Sequence, residues 1–289
     1  MAPTDDGEMP FQIELLTIAG NQLRVGRKPA DGKGKGKGKD GNAAIPLLLF
    51  NGIGGNIELM APIARALRGR EVIVFDVPGV GQSALPTLPY RMRHIARLAC
   101  RVLDHYGHPV CDALGTSWGG AAAQQFAHSD STRCRRLILA ATATGTIMVP
   151  ARFDVLLKMA IPRRYMSRED AMQVAGQIYG GDFRRDPELG RQVFRHVKWP
   201  SRLGYYYQLG AGVGWTSVHW LPRLRQPTLV MAGEDDPLIP LSNAKIMQLL
   251  IPRSELRVFD CGHMFLVTRA EESAEVIREF LDRPEAPHD

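Results

Sequence analysis

Val110-Cys111-Asp112-Ala113-Leu114-Gly115-Thr116-Ser117-Trp118-Gly119-Gly120 decides the fold. Residues 110–114, apolar but for Asp112, read as a strand, and residues 118–128, rich in small side chains, read as a helix. Between them Gly115-Thr116-Ser117-Trp118-Gly119 fits the spacing G-x-S-x-G. A strand that turns this sharply into a helix holds its middle residue in a strained conformation. The residues two positions away on either side must then lack side chains that would clash. The Ser117 hydroxyl is left standing above the end of the strand, at a helix N-terminus whose local field favours developing negative charge. Ser117 is therefore the candidate nucleophile.

Outward from this turn the chain alternates. Strands are expected at 11–19 and 22–26, with Gly20-Asn21 as the turn between them, then at 45–50, 72–75, 110–114, 136–141, 227–232 and 256–259. Helical spacing appears at 57–67, at 92–106 through Met92, Ile95, Ala99, Val102 and Tyr106, at 118–128, at 242–250 and at 269–281. Several strands are continuous apolar runs, as suits strands covered on both faces. The pattern predicts an α/β fold, a mostly parallel central sheet flanked by helices. From 145 to 224 the alternation stops, helical patterns continue, and about half of the aromatic residues are found there. The expected organisation is a core of 1–144 and 225–289 interrupted by a helical insertion, 145–224. Residues 31–42 alternate Gly and Lys and are expected to be a flexible loop.

The net charge of +6 is partly carried by Lys33, Lys35, Lys37 and Lys39, which suits a solvated insertion or a basic tether more than a nucleic-acid interface. Cys100, Cys111, Cys134 and Cys261 are widely spaced and show no CxxC pair, so reduced thiols are expected and a zinc or redox role is not. Residues 1–10 are acidic and polar without an apolar signal region, and no apolar stretch approaches the ~18 residues of a membrane span. A cytoplasmic location is the expectation.

A serine hydroxyl needs a base. Of the eight histidines, His263 follows Cys261-Gly262 just after a strand, which puts it on a loop at the carboxyl edge of the sheet. His94, His105, His108 and His128 fall on or near helices, His196 and His219 in the insertion, where His219 is expected to be an interior structural residue, and His288 in the C-terminal tail. An acid must then hold the imidazole. Glu234, Asp235 and Asp236 follow the strand at 227–232, and only one of them can point at the ring. Asp236, three residues after Gly233 and just before Pro237, is preferred, with Asp235 the runner-up. For the oxyanion, backbone amides are expected from Trp118, directly after the nucleophile, and from Ile53 in the loop Asn51-Gly52-Ile53-Gly54-Gly55-Asn56. That loop lacks the spacing and the lysine of a nucleotide-binding turn, and no metal motif is present, so neither cofactor nor metal is expected. Asp76-Val77-Pro78-Gly79-Val80-Gly81 reads as a turn that shapes the core edge.

From about residue 46 to 281 the chain resembles the intracellular medium-chain-length poly(3-hydroxyalkanoate) depolymerases, of the α/β-hydrolase superfamily. The resemblance rests on Phe50-Asn51-Gly52-Ile53-Gly54, Phe75-Asp76-Val77-Pro78-Gly79-Val80-Gly81, Ser117-Trp118-Gly119-Gly120, Gln124-Gln125-Phe126-Ala127-His128, Arg184-Arg185-Asp186-Pro187-Glu188-Leu189, Gly214-Trp215-Thr216-Ser217 and Asp235-Asp236-Pro237-Leu238-Ile239-Pro240. It implies a triad of Ser117, Asp236 and His263, a lid at 145–224, and a polyester storage granule as partner. The reaction it implies is release of 3-hydroxyalkanoic acids. The Lys-Gly run departs from the family pattern. Other carboxylesterase, lipase or cofactor-free haloperoxidase-like chemistry on the same scaffold is the alternative, and a granule-binding protein without activity is the non-enzymatic one.

Overall fold

The computed structural model describes residues 9–31, 45–160, 168–194 and 201–284. The Lys33–Lys39 run, His196 and His288 lie outside the described residues. The chain opens with the hairpin β1 (Gln12–Ile18) and β2 (Asn21–Lys28), and continues with β3 (Leu47–Phe50). A 3₁₀ turn (Ile57–Met60) then leads into α1 (Ala61–Ala66). Next come β4 (Val72–Phe75), α2 (Met92–His105), β5 (Cys111–Thr116), α3 (Trp118–Ser129) and β6 (Cys134–Ala140). The helices α4 (Phe153–Ala160), α5 (Arg168–Tyr179), α6 (Gly181–Arg185), α7 (Leu189–Val193) and α8 (Arg202–Gly212) follow. The chain closes with β7 (Thr228–Gly233), α9 (Leu241–Leu250), β8 (Ser254–Phe259), α10 (Phe265–Thr268) and α11 (Ala270–Leu281).

The eight strands form one sheet in the order β1-β2-β4-β3-β5-β6-β7-β8. The β1–β2 and β2–β4 pairings are antiparallel, and all others are parallel. Period-two alternation divides the buried side chains between two cores. Leu48, Phe50, Ile73 and Phe75 face α2 and α3, whereas Leu47, Leu49, Val72 and Val74 face α1 and α11. The continuous apolar runs of β3 and β4 are explained by this double coverage. β8 is an edge strand, and its polar first half, Ser254 and Glu255, kept it from being read as a strand before Leu256.

Two further expectations are corrected. The β1–β2 turn lies at Ala19-Gly20 (φ 48° and 76°), one residue earlier than expected, because a two-residue hairpin loop needs positive φ at both positions. The helix expected over 57–67 is broken into a 3₁₀ turn and α1, with Pro62 in the first turn of the new helix, where its missing N–H costs nothing. Between β6 and β7 the described elements are helices, and a single antiparallel bridge joins Gly145 to Thr216. No helix among the described residues is long and apolar enough to cross a membrane.

Candidate active site

Ser117 stands between β5 and α3 with φ 54° and ψ −122°, one of three non-glycine residues with positive φ among those described. The surrounding glycines have steric reasons. A Cβ on Gly115 would lie 2.3 Å from the Gly119 carbonyl oxygen, and one on Gly119 would lie 2.2 Å from the carbonyl of Phe50 at the end of β3. Gly120 is equally constrained, 2.3 Å from the Thr142 hydroxyl. Thr142 Oγ1 in turn donates to the Ser117 carbonyl at 2.7 Å, and the Gly120 amide donates to the same oxygen at 2.9 Å. Thr142 follows β6 in an unremarkable Ala-Thr-Ala-Thr run, and nothing in the sequence pointed to it.

His263 Nδ1 lies 2.7 Å from Asp236 Oδ2, both side chains buried. The other oxygen, Asp236 Oδ1, accepts from the amides of Leu238 (2.9 Å) and Ile239 (2.8 Å), an Asx-type turn set up by Pro237. Asp236 is thus fully engaged, with one face for the imidazole. Asp235 is turned away: its carboxylate accepts from the Gly181 amide at 2.8 Å and pairs with Arg184 at 2.7 Å. Glu234 is exposed, the solvated turn residue of the three.

Ser117 and His263 line one cavity of about 60 Å³, together with Gly52, Ile53, Met159, Tyr179 and Leu238. Ser117, Asp236, His263 and Ile53 all lie beyond the carboxyl ends of parallel strands (β5, β7, β8 and β3), where such sheets place ligand sites. The Trp118 amide belongs to the first turn of α3, whose leading N–H groups have no acceptor within the helix. The loop 51–56 packs directly on the serine, since a Cβ on Gly52 would sit 3.4 Å from Ser117 Cβ.

This loop is held from several sides. Asn51 Oδ1 accepts from the Gly52 amide (2.8 Å) and Asn51 Nδ2 donates to the Asn56 carbonyl (2.6 Å). The Gly54 amide donates to Gln208 Oε1 of α8 at 2.9 Å, and the Trp118 indole donates to the Gln208 carbonyl at 2.8 Å. Asp76 Oδ1 accepts from the Ile57 amide at 2.9 Å just past the loop. Burial pushes the Asp76 carboxyl up to about 7, against the pull of neighbouring Arg24. Asp76 thus ties the turn after β4 to the start of the 3₁₀ turn that follows the loop. Gln208, buried in the insertion, was missed, because its role depends on which helix face meets the core.

The remaining described histidines do not line the cavity. His94 Nδ1 accepts from the Arg91 amide, His108 meets Glu71 at 3.2 Å, and His128 stacks on Trp220 at 4.3 Å. His219 corrects an expectation: it is exposed at the edge of Trp220, which takes the interior position. The four cysteines are unpaired.

A parallel sheet with a strained serine at a strand–helix elbow and a His–Asp pair on later loops defines a class, and the chain belongs to it: the α/β-hydrolase fold family, whose model matches residues 45–270. Over 239 residues it is 52% identical to the poly(3-hydroxyalkanoate) depolymerase of Ectopseudomonas oleovorans, covering 82% of this chain and 84% of that one. That similarity bears out the resemblance drawn from the motifs. A 2-hydroxymuconate semialdehyde hydrolase of Pseudomonas putida is 28% identical, over 78% of this chain and 81% of its own. Among solved structures, a meta-cleavage product hydrolase from Pseudomonas fluorescens superposes with a TM-score of 0.78 at 19% identity, covering 95% of this chain and 99% of that one. At that identity the likeness speaks for the fold alone.

Proposed function

We propose that this chain is a serine hydrolase that cleaves the ester bonds of a poly(3-hydroxyalkanoate) storage polyester. The similarity to the depolymerase carries the substrate, and His263, paired with Asp236 and sharing a cavity with Ser117, carries the mechanism. Ser117 Oγ attacks the ester carbonyl while His263 takes its proton. The amides of Trp118 and Ile53 hold the oxyanion, each such donor worth ~3–4 kcal/mol in the transition state. Collapse of the tetrahedral intermediate expels the alcohol oxygen, which His263 protonates. Water, deprotonated by His263, then attacks the acyl-enzyme and frees the acid and Ser117. Asp236 holds the imidazole in the tautomer that presents Nε2 to the serine. The sequence requires no cofactor or metal in any of these steps.

The insertion 145–224 serves in this reading as a lid, and the partner surface is that of a storage granule inside the cell. Phe153, Leu156 and Leu157 on one face of α4 are exposed, while Val155 and Met159 face inward and Met159 lines the cavity. An apolar outer face beside the cavity fits a water-insoluble substrate.

Ser117→Ala is expected to lower turnover of a medium-chain polyester suspension by roughly 10⁴-fold or more. Near-normal hydrolysis by that variant rules the mechanism out. A phosphonate that labels Ser117 separates an enzyme from a granule-binding protein of the same fold. Faster turnover of short soluble esters than of the polyester would favour a general esterase.

A further inference from the structure

The base loop and the insertion meet at an unusually close junction. Tyr179 ends α5 and is followed by Gly180 (φ 62°) and Gly181 (φ 45°), conformations that side chains disfavour. A Cβ on Gly180 would fall 2.1 Å from the Asp235 carbonyl oxygen, and one on Gly181 would fall 1.9 Å from the Gly262 amide nitrogen. From the other side, a Cβ on Gly262 would lie 2.0 Å from the Tyr179 carbonyl oxygen. Backbone here touches backbone, with no side chain to act as a cushion.

Three contacts use that proximity. The His263 amide donates to the Tyr179 carbonyl at 2.7 Å. The Tyr179 ring lies nearly parallel to the His263 ring, with centroids 6.2 Å apart and planes 20° apart. The Asp235 carboxylate accepts from the Gly181 amide and from Arg184, fixing the next turn of the insertion to the acid loop. Asp182 adds a second anchor on Arg269 and Thr268, just beyond His263 in the chain.

We propose that the segment from Tyr179 to Arg184, fastened by Asp235, is a clasp that positions the base, so that seating this part of the insertion and aligning His263 are one event. Asp235 and Arg184 act through His263 and are positioning residues. The inference rests on the reading of His263 as the base. Asp236 restrains the ring at one nitrogen, and the clasp restrains the backbone that carries it and one side of the ring. The Asp235–Arg184 pair is half exposed and adds little to global stability, so removing it should leave the chain folded while loosening the loop.

The test measures kcat and KM on a soluble medium-chain nitrophenyl ester, per serine titrated with a phosphonate, alongside melting temperature, in the full-length chain. Asp235→Ala is expected to lower kcat about 10-fold, and Arg184→Gln about 3-fold, with KM unchanged within about 2-fold, as befits a misplaced reacting group. Arg184→Lys should restore most of the loss, and Glu234→Ala, at the exposed neighbour, should change nothing. Unchanged kcat in folded Asp235→Ala, whatever its melting temperature, overturns the clasp and leaves a mere fastening. If that variant does not fold, unchanged kcat in Arg184→Gln overturns it equally. A wild-type chain that fails to take the phosphonate at all would instead remove the triad on which the clasp depends.

Discussion

Ser117 holds a conformation that its own side chain disfavours, and its neighbours make it tenable. Gly115, Gly119 and Gly120 are each pressed against other atoms, while the Ser117 carbonyl accepts two hydrogen bonds. A single methyl at Gly119 meets the backbone oxygens of Phe50 and Asn51, at 2.2 and 2.4 Å, which cannot swing aside. Gly119→Ala should therefore cost about 3 kcal/mol of stability, as overpacking against rigid atoms does, with activity lost in any folded remainder. Gly210 in α8 is the opposite case, with nothing within 4 Å of a Cβ and an ordinary helical φ. Gly210→Ala should stabilise by about 0.5–1 kcal/mol through helix propensity, with turnover unchanged. Denaturant titration of both variants checks the contrast, which composition alone could not predict. Residue identity was legible at Gly115 and Gly119 because the motif encodes their geometry. Thr142 was not legible, because a hydroxyl reaching a carbonyl 25 positions away leaves no local pattern.

At the scale of elements, the turns after β3, β5, β7 and β8 could be read in the sequence because each follows a strand pattern with glycine, acid or histidine. What holds the turns in mutual register comes from elsewhere in the chain. Gln208 on α8 joins the loop 51–56 and the elbow, taking the Gly54 amide on its side chain and the Trp118 indole on its backbone. The choice between Asp235 and Asp236 likewise hung on Pro237 and on α6, the first turning one acid inward and the second drawing the other outward. Helical periodicity identifies a buried face but not its partner. Gln208→Leu keeps the volume and removes the acceptor, leaving the Gly54 amide unpaired. We expect kcat on a soluble ester to fall about 10-fold with KM within about 2-fold, because a loosened oxyanion donor acts on the transition state. A proportional rise in KM instead would assign Gln208 to substrate binding.

For the molecule as a whole, the α/β order was plain from alternating periodicity, and the elements described between β6 and β7, where the alternation stopped, are helices. Its relation to the cavity was not legible, since it depends on packing between distant segments. The cavity holds about 60 Å³, far below the ~300–1,000 Å³ of pockets that enclose sizeable ligands. α5 and α6 are held to the loops that carry Asp236 and His263 through Asp235, Asp182 and the His263 amide, so in the proposed mechanism their departure would release His263. α4 lies over the same cavity, with Val155 packed against Ile178 and Leu238. It is eight residues long, buries Val155, and carries Met159 on the cavity wall. Its outer face exposes Phe153 (80%) and Leu157 (50%), surface that contact with an apolar polyester would remove from water. Replacing both with serine should leave hydrolysis of a short soluble ester within about 2-fold, since neither touches the reacting groups, and raise thermal stability slightly or not at all. On a polyester suspension the same variant should lose about 10-fold or more, because two large apolar side chains contribute on the order of 3 kcal/mol of burial at such a surface. Parallel assays on the two substrates decide the matter: an equal loss on both assigns α4 to the architecture of the site, and no loss on either places the polymer-facing surface elsewhere on the molecule.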